Sequence, residues 1–154
     1  MRITLLCVGR LGERPEARLS RDYARRAQGL GRSLALSPVE IVEVEGRKRG
    51  AEAEARALLD RRGEARLIAC DERGQSWSSR ALATELAGWR DDGVRELTFI
   101  VGGADGLTAH VLGEATARLA FGPQTWPHAL ARVMLAEQIY RAVSILAGAP
   151  YHHD

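Results

Sequence analysis

The sequence lacks the features that mark membrane and secreted proteins. No apolar run in its 154 residues approaches the length of about 20 residues that a membrane-spanning helix requires. The first apolar run breaks at Gly9-Arg10, which is too short for a secretory signal, and no small-residue cleavage site follows it. We therefore expect a cytoplasmic protein without a membrane partner.

Cysteine, metal-binding spacings and strong charge are also scarce. The two cysteines, Cys7 and Cys70, lie in strand-like runs without C-x-x-C spacing, so we expect reduced core thiols. His152, His153 and Asp154 are adjacent, and neighbouring side chains of an extended chain point in opposite directions, so we expect no metal. The net charge of +2 is too small to indicate nucleic-acid binding on its own.

What the sequence does contain is a repeated alternation of strand and helix patterns. Apolar runs rich in Ile, Leu and Val predict parallel strands at residues 2–8, 39–44, 66–71, 96–101 and 119–121. Helical patterns lie between and after them, at residues 15–30, 52–62, 78–89, 107–119 and 129–146. We predict a single α/β domain over residues 1–154, with a mostly parallel sheet and helices on both faces.

A glycine-rich turn follows the fourth predicted strand directly. Gly102-Gly103-Ala104-Asp105-Gly106 has three glycines in five residues, which lets a ligand approach bare amides that a Cβ would block. A predicted helix comes next, and its N-terminus would add unpaired N–H groups. This favours a nucleotide-like or carboxylate-bearing ligand, although a tight strand–helix turn without a ligand remains the alternative.

A second loop of the same kind stands beside the first. Leu119-Ala120-Phe121 is a short apolar run, and Gly122 begins a loop that leads to the last helix. Ligands of open α/β sheets bind outside the carboxyl ends of neighbouring strands, where both loops would lie. A nucleotide-dependent oxidoreductase is disfavoured, because the residues after the first strand do not form G-x-G-x-x-G.

Several motifs carry a family resemblance along the whole chain. They are Val8-Gly9, Gly46-Arg47-Lys48-Arg49-Gly50, Ile100-Val101-Gly102-Gly103-Ala104-Asp105-Gly106, Pro127-His128 followed by Arg132, Glu137, Gln138, Tyr140 and Arg141, and the terminal Pro150-Tyr151-His152. In these the chain resembles the RlmH family, SPOUT-class methyltransferases that use S-adenosylmethionine (SAM) to methylate N3 of a pseudouridine in 23S ribosomal RNA. The resemblance also implies a C-terminal trefoil knot, which general topology rules would have excluded.

The resemblance implies a set of site residues. Cofactor contacts are expected at Cys70, Gly102, Phe121, Gly122, Pro123, Gln124, Thr125 and Trp126. Catalytic roles are expected for Tyr151, His152, Arg141 and Arg132. Tyr151 would act by stacking or positioning, and His152 could take the N3 proton or hold a water that does. The two arginines would stabilise the developing anion or a phosphate. The chain departs from the family pattern at Cys70, often Leu, at Asp105, often Glu, and in its His153-Asp154 end.

The last predicted helix suggests a homodimer. Its apolar residues cover nearly the whole circumference, with only Glu137, Arg141 and Ser144 in a narrow polar stripe. One side can face the sheet, and a second copy of the chain is the commonest cover for the other. We place Leu135 and Ile139 in that interface, where Arg141 could face the active site.

Two basic elements are candidates for RNA contact. Arg14, Arg18, Arg21 and Arg25 recur at helical spacing, and Arg47-Lys48-Arg49 stands between two glycines. Either could instead be solvated surface. Since one mildly charged domain offers little surface for naked RNA, an assembled ribosome is the expected substrate. A non-catalytic ribosome-binding protein of the same fold is the alternative function.

Overall fold

The computed structural model describes residues 1–45 and 50–151, and strands and helices alternate along them. The strands are β1 (Arg2–Val8), β2 (Val39–Val44), β3 (Arg66–Ser76), β4 (Glu96–Val101) and β5 (Ala117–Ala120). The helices are α1 (Pro15–Gly31), α2 (Ala51–Arg62), α3 (Ser79–Asp91), α4 (Ala109–Glu114) and α5 (His128–Leu146), with a short 3₁₀ helix at Arg32–Leu34. In the described part of the chain, none of these helices combines the length and apolar character needed to cross a membrane.

The strands form one sheet in the order β2-β1-β4-β3-β5, and every neighbouring pair is parallel. β1 lies at the centre of three strands, with Leu5 level with Ile41 of β2 and with Phe99 of β4. Because the strands are parallel, their carboxyl ends all meet at one edge of the sheet. The turns after β3, β4 and β5 therefore lie close to one another.

Both faces of the sheet are covered, as the near-continuous apolar runs predicted. Ile3, Leu5 and Cys7 of β1 join a buried cluster with residues of α1, α3 and α5. Leu6 and Val8 point the other way and join a second cluster with residues of α2 and α4. This alternation is the period of two that a strand imposes on its side chains. The predicted α/β class with helices on both faces is confirmed, and the trefoil knot stays an expectation from the resemblance.

The predicted helix at residues 107–119 is wrong in length. α4 ends at Glu114, and β5 begins at Ala117. The Thr116 amide donates to the Leu67 carbonyl at 2.8 Å, and Leu119 then pairs with Cys70 of β3. Pairing with the edge of β3 gives hydrogen-bond partners to the backbone N–H and C=O groups of this segment and buries Leu119. The free energy gained by this pairing exceeds the local preference for helix.

The strand predicted at residues 66–71 is too short, because β3 continues to Ser76. Cys70 and Gln75 both pair with Leu119, so the residues between them loop out of the ladder as a bulge. Gly74 has no Cβ to clash here: a Cβ would lie 2.7 Å from the carbonyl carbon and oxygen of Arg118. The glycine thus serves a close approach of two strands, rather than the end of one.

The dimer-facing residues predicted on the last helix are misassigned. Leu135 and Ile139 are fully buried within the chain's own core, together with Ala142 and Val143, so they face the sheet. The opposite side of α5 carries Leu130, which is 41% exposed. The helix is therefore apolar on two sides, but its open side is not where Leu135 and Ile139 lie.

Candidate functional site

A cavity of about 380 Å³ opens at the carboxyl edge of the sheet. It lies between the turn after β4, the bulge of β3 and the loop after β5, within the range of about 300–1,000 Å³ typical of small-molecule sites. Its walls include six of the eight predicted cofactor residues, namely Cys70, Gly102, Phe121, Gln124, Thr125 and Trp126. Gly122 and Pro123 belong to the same loop but do not line the cavity.

The glycine turn forms one wall of this cavity and is held by its own backbone. The Gly106 amide donates to the Gly103 carbonyl at 3.1 Å, and Gly106 has a φ of 74°. A Cβ on Gly102 would lie 2.8 Å from the Gly106 carbonyl carbon and 3.1 Å from Leu107. The expectation that a Cβ at residue 102 would enter the ligand's space is therefore wrong, since it would first disrupt the turn.

The helix after the turn does not offer the free N-terminus that the sequence suggested. α4 begins at Ala109, after two further residues, Leu107 and Thr108. The Thr108 hydroxyl accepts from the Val111 amide at 3.4 Å, so this helix caps itself. Ligand contacts at this wall must come from the turn and from Leu107 and Leu112, which both line the cavity.

The loop after β5 forms the opposite wall. The indole N–H of Trp126 donates to the Phe121 carbonyl at 3.1 Å, which closes the loop on itself. The Thr125 hydroxyl donates to Glu72 Oε2 at 2.8 Å, which ties the loop to the β3 bulge across the cavity mouth. The Gln124 amide oxygen fills the space beside Gly122. These contacts fix a loop that otherwise has exposed side chains.

The β3 bulge supplies an acidic wall that the sequence did not predict. Asp71, Glu72 and Arg73 line the cavity, and Asp71 accepts from the Arg73 amide at 2.8 Å. With Asp105 of the glycine turn, three carboxylates and one guanidinium surround the cavity. A bulge has no reliable signal in one sequence, but the position of these residues after the apolar run of β3 was a usable hint.

The thiols of the chain are inert at neutral pH. Burial raises the pKa of the Cys7 thiol to about 12, and burial also raises the pKa of Cys70 well above its usual range. A thiol is nucleophilic only as the thiolate, so neither residue acts as a nucleophile. Within residues 1–45 and 50–151, no three His, Cys, Asp or Glu side chains come together as a possible metal site.

Arg132 does not line the cavity. Its side chain is only 2% exposed, and Nη1 donates to Glu43 Oε1 at 2.5 Å. Nη2 donates to the carbonyls of Val8 at 3.1 Å and Gly9 at 3.0 Å, and the Leu11 amide donates to the same Glu43 oxygen. This guanidinium therefore joins α5 to the carboxyl ends of β1 and β2.

Arg141 and Tyr151 lie together, away from the cavity lining. Arg141 donates to Glu137 through Nε at 3.0 Å and Nη2 at 2.6 Å, and the Tyr151 hydroxyl donates to the same carboxylate at 3.0 Å. Burial, followed by hydrogen bonds to Tyr23 and Glu137, raises the pKa of the Tyr151 hydroxyl above its usual range. Tyr151 is therefore a neutral phenol at neutral pH. His152 lies outside the described residues.

A second cavity, also of about 380 Å³, adjoins the first. The two share Leu119, Ala120 and Phe121, and the second is lined mostly by apolar side chains of α1, α3 and α5, among them Tyr23, Leu82, Val133 and Met134. The most exposed large apolar side chains, Leu19 at 46%, Trp126 at 41% and Leu130 at 41%, belong to α1, the β5 loop and α5. Leu19 also lines the second cavity, and Trp126 lines the first.

The basic stripe of α1 is confirmed as a surface feature. Arg14, Arg18, Arg21 and Arg25 are all exposed, and Arg25 forms an ion pair with Asp22 of the same helix. Their exposure agrees with either RNA contact or solvation. The other basic element, Arg47-Lys48-Arg49, lies outside the described residues.

Comparison with known proteins gives full-length matches. A family described as "Predicted SPOUT methyltransferase" matches residues 1–152. The chain is 58% identical to a Phenylobacterium zucineum protein and 60% identical to a Caulobacter sp. (strain K31) protein, each over 154 residues and 100% of both chains. Both relatives are named "Ribosomal RNA large subunit methyltransferase H".

Solved structures of lower sequence identity share the fold. A probable methylase family protein from Haemophilus influenzae Rd KW20 matches with a TM-score of 0.56 and 14% identity, over 99% of this chain and 70% of that one. A probable methyltransferase from Bordetella pertussis Tohama I matches with a TM-score of 0.55 and 17% identity, over 92% of this chain and 96% of that one.

Proposed function

The chain belongs to the RlmH family of SPOUT methyltransferases, and from that premise we propose that it transfers a methyl group from SAM to N3 of a pseudouridine in 23S ribosomal RNA. The observation that carries this proposal is the cavity at the strand ends, whose lining holds six of the eight residues expected to contact the cofactor. Full-length relatives named as large-subunit rRNA methyltransferases support the substrate class.

The cavity lining suits SAM. Leu107, Leu112 and Phe121 offer apolar contact for an adenine ring, and backbone amides of the glycine turn are accessible to its polar groups. The carboxylates of Asp71, Glu72 and Asp105 favour a cationic ligand over a neutral one. When bound, SAM would supply a methyl group activated by its positively charged sulfur. The lining residues then orient that group and exclude water.

The acceptor side requires the removal of one proton and the stabilisation of a developing anion. Tyr151 is a poor base, because the raised pKa of its hydroxyl keeps it protonated, so we assign it positioning and leave proton acceptance to His152 or a water that His152 holds. Arg141 keeps its full positive charge, as Glu137 raises its pKa further, and we assign it to the anion. Arg132 acts from its buried position by holding the ends of β1 and β2.

We propose that the enzyme is a homodimer across the exposed apolar surface of Leu19, Trp126 and Leu130. In one chain, Arg141 and Tyr151 do not line the cofactor cavity. A second copy on this surface would cover the adjoining apolar cavity. We propose that its Arg141 and Tyr151 complete the acceptor site beside the cofactor. The proposed substrate is the assembled ribosome in the cytoplasm. A single small domain offers little surface for recognising naked RNA, whereas an assembled particle presents a defined shape.

Calorimetric titration with SAM separates this proposal from the alternative of a non-catalytic ribosome-binding protein, which has no reason to bind SAM. We expect saturable binding of one SAM per cavity. Thr125→Val, which removes the hydroxyl bonded to Glu72, should weaken SAM binding several-fold. The matched control is Thr84→Val, whose hydroxyl bonds within α3 and whose loss should leave SAM binding unchanged. Absence of SAM binding by the folded protein would contradict the enzymatic proposal.

A further inference from the structure

One carboxylate oxygen joins the two described side chains of the proposed acceptor group. Glu137 Oε1 accepts from Arg141 Nε at 3.0 Å, from Arg141 Nη2 at 2.6 Å and from the Tyr151 hydroxyl at 3.0 Å. We infer that Glu137 is a positioning residue, which holds Arg141 and Tyr151 in the arrangement that methyl transfer requires. The inference rests on the proposed function, and it assigns a role to a residue outside the predicted site.

The contact with Tyr151 is more than helix stabilisation requires. Glu137 and Arg141 are four residues apart on α5, which is the ordinary spacing of a helical ion pair. Tyr151 instead lies beyond the end of α5 at Leu146. The chain reverses after the helix, where Gly148 has a φ of 64°, and returns Tyr151 to the side of the helix. There its hydroxyl donates to the Glu137 carboxylate.

Tyr151 is held by several contacts besides its hydrogen bond to Tyr23. Its hydroxyl donates to Glu137, its ring lies 4.4 Å from the Tyr140 ring between centroids, and the Arg141 guanidinium carbon is 4.9 Å from its ring centroid. A ring fixed at its edge and on its face has little freedom left.

Glu137 is itself fixed from the opposite side. Its second oxygen accepts from Gln138 Nε2 at 2.8 Å, and the Gln138 amide oxygen accepts from the Ser79 hydroxyl at 2.7 Å. This chain of hydrogen bonds connects the carboxylate to the start of α3. With its side chain only 17% exposed, Glu137 is a preorganised support of the kind that orients functional side chains.

The geometry also leaves one arm of Arg141 available. Nε and Nη2 are engaged by Glu137, whereas Nη1 makes no hydrogen bond with any residue that the structure describes. A guanidinium gripped along one edge presents its remaining N–H groups in a fixed direction. Glu137 therefore fixes the direction of Arg141 Nη1. An anionic acceptor or a phosphate could bind this donor without any reorientation of the side chain.

Glu137→Gln tests this inference, because glutamine keeps the size of the side chain and one acceptor oxygen but removes the charge. With labelled SAM and ribosomes, we expect kcat to fall between about tenfold and a hundredfold, the scale of a misplaced catalytic group. SAM affinity by calorimetry and the sedimentation mass should remain those of the parent. Glu85→Gln, an exposed glutamate of α3, is the matched control and should keep full kcat.

A double-mutant cycle separates positioning from general structural support. If Glu137 acts through Arg141, the double variant Glu137→Gln with Arg141→Lys should have about the same kcat as the less active of the two single variants. The two fold-losses in kcat should not multiply. Independent, multiplying effects would overturn the inference. If Glu137→Gln does not fold, Tyr151→Phe removes the same hydrogen bond from the other end and should lower kcat at least several-fold; parental kcat would overturn the inference.

The outcomes also distinguish this inference from the proposed function. If the wild-type protein methylates ribosomes and folded Glu137→Gln does so with a kcat within about threefold of it, a barrier change below roughly 1 kcal/mol, Glu137 is an ordinary helix ion pair and only the inference is wrong. If the wild-type protein transfers no methyl group, the proposed function is wrong and the inference falls with it.

Discussion

Replacing Arg132 with alanine should destabilise the fold far more than the loss of an ordinary arginine. The change removes three hydrogen bonds from Nη1 and Nη2. The carbonyls of Val8 and Gly9 lose this donor, and the Glu43 carboxylate keeps the Leu11 amide but loses its cationic partner. Breaking a buried ion pair by removing one partner costs about 3–5 kcal/mol. Glu43 keeps 29% of its side chain exposed, so we expect the lower end, about 3 kcal/mol.

That loss is large against a total stability of about 5–15 kcal/mol. For a domain of this size, 1 kcal/mol shifts Tm by roughly 2–4 °C, so Tm should fall by roughly 6–12 °C. Urea denaturation at one fixed protein concentration measures the same loss, and the fixed concentration keeps any dimer contribution constant. Arg26→Ala is the control: Arg26 is 53% exposed in its helical ion pair with Asp22, which should contribute about 0.3–0.5 kcal/mol.

A double variant tests whether the loss of stability comes from the Glu43 carboxylate that has lost its cationic partner. Combining Arg132→Ala with Glu43→Gln should be less destabilising than the sum of the single changes, because an unpaired amide is less unfavourable than an unpaired carboxylate. Arg132→Ala could instead lose turnover while its free energy of unfolding falls by less than about 1 kcal/mol. That result would show that Arg132 does not act by holding the ends of β1 and β2. It would then be the direct anion-stabilising residue that sequence analysis proposed.

Three further results are expected. Leu130→Glu, which places a charge on the open side of α5, should convert the homodimer to monomers in sedimentation without unfolding the chain, and a wild-type monomer at micromolar concentration would refute the dimer. Charge reversal at residues 47–49 should raise KM for ribosomes and flatten its salt dependence with SAM affinity unchanged, whereas unaltered kinetics would make these residues solvated surface. Deletion of residues 151–154 should abolish methyl transfer and weaken SAM binding much less; turnover within about threefold of the parent, a barrier change below roughly 1 kcal/mol, would move the acceptor site elsewhere.

The long elements were predictable because their signals are local. Both faces of β1 and β4 are buried, so their sequences are continuous apolar runs, and Pro15 begins α1 where proline is tolerated. The start of β5 was not predictable in the same way. Ala117 and Arg118 form a strand because the edge of β3 is available to pair with them, and nothing within four residues of sequence encodes that partner.

The site was predictable at its glycines and its loop, but not in its buried charges. Three glycines after a strand predict an accessible backbone, and Gly102 lines the cavity. Arg132 and Arg141 have similar local sequences, because each is surrounded by apolar residues of the same helix, α5. Which of them is enclosed depends on how α5 packs over the ends of β1 and β2, and one sequence does not record that packing. The resemblance identified both arginines without separating their roles.

Transfer of a labelled methyl group from SAM to ribosomal RNA, followed by mapping of the modified base, is the most direct test of the proposed activity. Whole ribosomes, isolated large subunits and free 23S RNA should be offered in parallel to the purified protein. We predict one labelled position, N3 of a pseudouridine in 23S RNA, with whole ribosomes the best substrate. A folded protein that binds SAM but labels ribosomal RNA in none of the three substrates would contradict the proposed activity.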